Sequence, residues 1–214
     1  MSVPPGEADL RERLDAGLAR LGLDPSAGER DRLLALVELL ARWNRAYNLT
    51  AVREPIAMVP RHLLDSLSVS AHLHGDSVLD LGTGAGLPGL PLAITQPARR
   101  FVLLDSSGKK LRFVRQAMIE LGLANVQAVQ ARFESYRPER KFVTILSRAV
   151  APLAVLAAAA RPLMEPSGRL LVMKGRRPTD ELAALDPAWG RVLVHRLRVP
   201  FVEGERHLIE ICPD

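Results

Sequence analysis

The segment Val78-Leu79-Asp80-Leu81-Gly82-Thr83-Gly84-Ala85-Gly86-Leu87-Pro88-Gly89 constrains this chain more than any other. An apolar run of strand length ends in closely spaced glycines. Such a strand can turn sharply and let a ligand reach the main chain, and a helix starting behind it offers free N–H groups. Pro88 and Pro91 suit a first helical turn. Two ligand templates fit. Gly84-x-Gly86-x-x-Gly89 matches a dinucleotide fingerprint. Asp80-x-Gly82-x-Gly84-x-Gly86 matches the loop that holds S-adenosylmethionine (AdoMet). Asp80 favours the second, because a carboxylate inside the turn repels a pyrophosphate, whereas AdoMet brings an ammonium and a sulfonium.

The chain around this loop reads as alternating strands and helices. Strands are predicted at 78–81, 101–104, 126–130, 142–146 and 170–173, with helices at 88–95, 108–121, 152–161 and 179–185. Two more strands, 191–199 and 207–211, flank a short loop at Gly204 and pair antiparallel. The expected fold is α/β: a Rossmann-like class I AdoMet methyltransferase with a seven-stranded, mostly parallel sheet and a C-terminal β-hairpin. An N-terminal helical extension, 1–74, packs on the methyltransferase domain, 75–214, as one compact unit. Within it, one helix covers 7–21. A second starts at the capping box Ser26-Ala27-Gly28-Glu29 and runs to Tyr47, with Leu33, Leu36, Val37, Leu40, Trp43 and Tyr47 on one face. Pro60 divides a further stretch, 56–73, into two short pieces.

Composition removes several classes. The only cysteine is Cys212, so no intrachain disulfide and no cysteine metal cluster can form. No signal-like N-terminus or spanning apolar run occurs, which implies a cytoplasmic protein with no membrane partner. Of 29 basic residues 25 are arginine, and residues 61–214 carry a net +6 against −1 for residues 1–60. An arginine-rich face suits nucleic acid, although GC-rich coding favours arginine too.

In a doubly wound sheet the ligand sits outside the carboxyl ends of the strands, near the switch point. Asp105, at the end of the second strand, can accept from both ribose hydroxyls of an adenosine, or can cap the next helix. Phe133 and Glu134 stand where an adenine would be flanked and its amino group met. The fourth strand ends in Ser147-Arg148-Ala149, without the Asn/Asp-Pro-Pro-aromatic motif of amino-group methyltransferases. Cys212, past the last strand, reads as an inert thiol rather than the nucleophile that C5-pyrimidine methylation needs. His72-x-His74 is the only close histidine pair and lacks a third ligand, so no metal site is expected.

Several blocks together resemble the bacterial ribosomal small-subunit methyltransferase G family, also called glucose-inhibited division protein B. They are Trp43-Asn44-Arg45-Ala46-Tyr47-Asn48-Leu49-Thr50, Arg61-His62-Leu63-Leu64-Asp65-Ser66-Leu67, the glycine loop, Leu104-Asp105-Ser106, Ser147-Arg148-Ala149, Met173-Lys174-Gly175 and Glu205-Arg206-His207-Leu208. The resemblance spans about residues 26–211. It implies AdoMet-dependent methylation of N7 of one guanine in 16S ribosomal RNA, on naked RNA or a small-subunit particle, by a monomer. By motif it implies cofactor contacts at Gly82, Leu87, Phe133, Glu134 and Arg148; Gly84 from the loop reading and Asp105 from the second-strand block are added to them, with Arg148 positioning the reactants and no catalytic acid or base assigned. Arg61, His62, Lys174 and Arg206 are the basic residues expected around the RNA. A second group, Arg99, Arg100, Lys109, Lys110, Arg112 and Arg115, reads as a solvated helix face. Val143 and Thr144 depart from an aspartate usual in the family, which predicts looser local packing, and the C-terminus lacks a basic tail. Two rivals remain at this level: a nicotinamide-dependent oxidoreductase, for which Tyr136 has no partner, and a non-catalytic AdoMet-binding RNA-binding or assembly protein, against which the intact glycine loop speaks.

Overall fold

The computed structural model describes residues 5–148 and 151–213, so Ala149 of the Ser-Arg-Ala block lies outside the described residues. The helices are α1 (Pro5–Leu21), α2 (Ala27–Tyr47), α3 (Pro55–Met58), α4 (Asp65–Leu67), α5 (Gly89–Thr95), α6 (Gly108–Glu120), α7 (Leu153–Ala160) and α8 (Thr179–Ala183). The strands are β1 (Ser77–Leu81), β2 (Arg100–Asp105), β3 (Val126–Gln130), β4 (Phe142–Arg148), β5 (Met164–Lys174), β6 (Arg191–Leu197) and β7 (Arg206–Cys212). They form one seven-stranded sheet in the order β3-β2-β1-β4-β5-β7-β6. β1 to β5 pair in parallel, and β7 runs antiparallel to both β5 and β6. The order reverses between β1 and β4, which opens a crevice at their carboxyl ends.

Side-chain alternation sorts the sheet into two apolar layers. Val78, Leu103, Leu146, Leu171 and Leu208 face the layer that contains Leu14 and Leu18 of α1, Leu33, Leu36 and Leu40 of α2, and Leu111 and Phe113 of α6. Leu79, Leu81, Leu104, Ile145, Val172 and Ile209 face the other, filled by Leu153, Leu156 and Ala160 of α7. The N-terminal helices thus share a core with the sheet.

Local chemistry explains the element ends. Ser26 Oγ accepts from the Glu29 N–H while a Glu29 carboxylate oxygen accepts from the Ser26 N–H, so the predicted capping box is formed; such a cap contributes about 1 kcal/mol. Asn48 ends α2 in the left-handed region, φ 49°, and its N–H donates to the Asn44 carbonyl.

Four expectations need correction. Residues 55–67 are continuously helical, because a π-helical turn at Val59–Leu64 accommodates Pro60. Tyr47 is exposed, stacked on Trp43 at the helix end. β5 begins at Met164, well before the predicted 170, with a register shift against β4 that Pro166 and Gly168 disguise in sequence. Thr144 does not loosen its surroundings: it is fully buried, its hydroxyl donates to the His74 carbonyl and it accepts from the His74 N–H.

Candidate active site

The glycine loop is held from behind and open in front. The N–H groups of Gly82 and Thr83 donate to the Leu104 carbonyl at 2.9 and 3.0 Å, which ties the end of β1 to β2. Asp80 Oδ2 accepts from the Thr83 hydroxyl at 2.6 Å and from the Gly89 N–H at 2.9 Å. The carboxylate therefore folds the loop around itself, and a Cβ at position 89 would lie 2.8 Å from Oδ2 and would overlap Leu103. Asp80 is fully buried and does not line the cavity, so the direct attraction of cofactor charge inferred from the sequence is corrected to a loop-shaping role. Gly84 is the opposite case. It adopts φ +60° and nothing lies within 4 Å of where its Cβ would be, so its main chain faces open space.

Asp105 completes the frame. Its Oδ2 accepts from the Gly84 N–H and its Oδ1 from the Ser107 N–H, both at 2.8 Å. The helix behind it is capped by Ser107 instead. Each carboxylate oxygen accepts from one backbone N–H and keeps a further lone pair for a ligand hydroxyl.

In front of this frame lies a cavity of about 490 Å³, lined by Gly82, Gly84, Leu87, Asp105, Phe133, Glu134 and Arg148 among others. Those seven are the residues expected at the cofactor, and the fold brings them together. An adenosine fits the donor set: acceptors on Asp105 for a ribose, the Phe133 ring for a base, and an exposed backbone at Gly84 for close approach.

The sequence reading missed Leu49, Thr50 and Lys110, which also line this cavity. The signal for Thr50 was present in the Asn-Leu-Thr block. Buried Asn44 donates to the Val52 carbonyl at 3.1 Å and accepts from the Thr50 N–H at 2.9 Å, which bends the chain after α2 back over the site. Lys110 was assigned to a solvated face. That group is in fact split: Arg99 and Arg100 sit at the opposite end of β2, where Arg99 donates to the Gly75 and Leu73 carbonyls.

A second cavity, about 720 Å³, shares His62 and Arg148 with the first and adds Arg61, Asp65, Lys174, Arg206 and His207. All four residues expected around the RNA therefore line it, in different states. Arg61 is exposed and makes no ion pair among the described residues. Lys174 is paired with Glu181 at 2.9 Å. Arg206 donates to Asp65 Oδ1 at 3.2 Å, and Arg148 to Asp65 Oδ2 at 3.1 Å. One buried carboxylate thus fixes two arginines from β4 and β7 at the wall between the cavities. Asp65 was visible only as part of a motif; its role depends on three segments that meet in space.

His62, expected around the RNA, lines this cavity but as a buried, hydrogen-bonded ring rather than a charged group. Its Nε2 is 2.8 Å from the Thr50 hydroxyl and its Nδ1 3.0 Å from the Arg61 carbonyl. The neutral tautomer with a proton on Nδ1 satisfies both. Burial, reinforced by the Arg148 guanidinium, lowers its pKa to about 4. Burial acts oppositely on Asp80, whose carboxyl is pushed up to about 6 despite its two hydrogen bonds. These shifts give opposed pH dependences of stability. Between pH 4 and 6.5 the unfolded chain protonates His62 more than the native one does, so this group costs stability as pH falls through that window. Between pH 3.8 and 6 the native state holds the Asp80 proton more tightly, so this group costs stability as pH rises. Each amounts to on the order of 3 kcal/mol. Urea melts across pH 4 to 7 should show His62→Gln steepening the loss of stability with rising pH relative to wild type, and Asp80→Asn reversing that change; identical profiles for all three proteins would contradict both assignments.

Outside the site, Cys212 is the last residue of β7 rather than beyond it. His72 also has nearby ligating groups that the sequence spacing hid: its ring lies 4.5 Å from that of His195, and Glu210 adjoins both.

A seven-stranded sheet of this order, with a glycine loop and the Asp105 carboxylate beside a cavity at its switch point, is the architecture of an AdoMet-dependent methyltransferase. Solved structures agree on the fold. TrmN from Thermus thermophilus aligns with TM-score 0.57 at 21% identity, covering 80% of this chain and 53% of that one. TYW2 from P. horikoshii, in complex with MeSAdo, aligns with TM-score 0.55 at 13% identity over 72% and 64%. The profile of the rRNA small subunit methyltransferase G family matches residues 29–209. Ribosomal RNA small subunit methyltransferase G of Methylococcus capsulatus is 57% identical over 94% of this chain and 97% of its own length. The protein of that name from Aeromonas hydrophila is 50% identical over 94% of each chain. The chain belongs to the rRNA small subunit methyltransferase G family.

Proposed function

We propose that this protein transfers a methyl group from AdoMet to N7 of one guanine in 16S ribosomal RNA, acting as a cytoplasmic monomer on the RNA or a small-subunit particle. The observation that carries this reading is the junction of the two cavities. The cavity at the glycine loop shares Arg148 and His62 with a neighbouring cavity that Arg61, Lys174 and Arg206 also line. AdoMet, when bound, supplies a methyl group on a positively charged sulfur. Gly82, Gly84, Leu87, Asp105, Phe133, Glu134 and Arg148 would hold it.

Guanine N7 has a free lone pair and no proton, so its attack needs alignment at about 3–3.5 Å rather than a base. The wall supports this. His62 is a weak base whose Nε2 already accepts from the Thr50 hydroxyl, and Arg148 is pinned by Asp65, so neither is poised to take a proton. Arg148 acts by orientation. Single-turnover transfer of a labelled methyl group to 16S RNA from a strain lacking the enzyme should be nearly flat between about pH 7 and 9; a bell-shaped profile would demand a titrating base.

Among the described residues, Arg61 is the cation of this cavity that is exposed and makes no ion pair, and it reads as a phosphate contact. Arg61→Ala should reduce the slope of log affinity against log salt by about 1 while leaving AdoMet affinity unchanged, measured by filter binding and calorimetry. A slope equal to wild type would remove Arg61 from the RNA interface.

A further inference from the structure

Three groups far apart in sequence converge at the edge of the sheet away from the cofactor cavity. His72 lies in a 3-10 turn just before β1, His195 on β6 and Glu210 on β7. His195 Nε2 is 2.8 Å from Glu210 Oε2, the two imidazoles are 4.5 Å apart, and the donor atoms of all three residues lie within 4.8 Å of one another. Glu210 is buried, while both histidines are half-buried and reachable from solvent.

Two features suit this cluster to an ion. Glu210 Oε1 is already engaged, accepting from Arg169 at 2.6 Å and from the Cys212 thiol at 3.6 Å. The carboxylate is thereby oriented with Oε2 turned to the histidines, as an outer hydrogen-bond partner orients a ligating carboxylate. His72 makes no side-chain hydrogen bond among the described residues, so its ring nitrogens are open to an ion. Two imidazoles and one carboxylate oxygen match the His₂Glu donor set of a tetrahedral zinc site with one open position.

We propose that His72, His195 and Glu210 form a binding site for a divalent cation of the zinc class. On binding, the His195–Glu210 hydrogen bond opens, and the ion takes Oε2 and one nitrogen from each ring. The ion would tie the turn before β1 to the C-terminal hairpin. The Arg169 guanidinium offsets part of the carboxylate charge, which weakens the site relative to a dedicated cysteine site. Hard ions are disfavoured by the imidazoles.

The test uses the untagged full-length chain with ZnCl₂ and, separately, MgCl₂. Calorimetry should give one Zn²⁺ per chain and no saturable heat with Mg²⁺. Zn²⁺ at a hundredfold excess over its Kd should raise Tm by roughly 5–10 °C. His72→Ala and His195→Ala should each weaken Zn²⁺ binding on the order of a hundredfold or more, beyond the loss expected for an outer partner alone. Both variants keep Glu210 with Arg169, and unchanged AdoMet affinity reports that they remain folded. Absence of saturable Zn²⁺ binding below millimolar concentration, or binding that persists in both histidine variants, would overturn the assignment.

Discussion

Replacing Asp105 with alanine should lower AdoMet affinity tenfold to a hundredfold. The carboxylate does two things at once. It accepts the Gly84 and Ser107 N–H groups at 2.8 Å each, which fixes the crest of the glycine loop, and it keeps lone pairs facing the cavity for ribose hydroxyls. Hydrogen bonds to a charged group contribute about 1.5–3 kcal/mol, which sets the range. Gly84→Val should be worse, for two independent reasons. A β-branched residue at φ +60° is strained by its own backbone, and its side chain would occupy the open space in front of the loop. Asp105→Asn separates the parts: an amide keeps an acceptor but cannot receive both backbone N–H groups on equivalent oxygens, so its affinity should fall between wild type and alanine. Calorimetric titration of the three variants checks this. Affinity equal to wild type in both Asp105→Ala and Gly84→Val would dissociate the cavity from the cofactor.

The sequence was most informative where a local rule and the tertiary structure agree. The strand-to-glycine transition at Leu81-Gly82, the capping box at Ser26 and the alternation in β1 to β4 all report on neighbours within a few residues. The mostly parallel sheet and its antiparallel closing pair followed from the α/β alternation and the hairpin around Gly204. What was not legible depends on long-range contact. Asp65 looked like one polar residue in a helical stretch, yet it joins Arg148 and Arg206, 83 and 141 residues away. His62 looked like a cation for RNA, but the cover provided by Thr50 and Arg148 keeps it neutral. Asp80 was assigned to the ligand because its position in the loop was legible and its burial was not. The early part of β5 was hidden because Pro166 and Gly168 carry turn signals, which a register shift beside β4 absorbs. His72 showed its neighbour His74 but not His195 or Glu210, which only the closing hairpin brings near.

The division of labour between the two cavities also makes specificity a matter of geometry. The first cavity is lined by glycine backbone and Asp105, which on the proposed reading hold a nucleoside. The second is built from arginines held by Asp65, and truncating that buried carboxylate would leave two guanidinium groups without their partner. On the proposed N7 chemistry, the base would lie at the wall they share, where its ring nitrogen would meet the methyl group. Nothing at that wall needs to remove a proton, which matches a nucleophile that carries none.

The most direct test follows from that chemistry. A 16S RNA carrying 7-deazaguanine at the target nucleotide keeps the base-pairing edge and the stacking surface and loses only the attacking nitrogen. Incubated with the enzyme and labelled AdoMet, unmodified RNA should take up one methyl group per molecule at that guanine, and the deaza RNA should bind with similar affinity yet take up none there. Methylation of the deaza RNA at the same nucleotide would contradict the N7 assignment and move the target to an amino or ribose group.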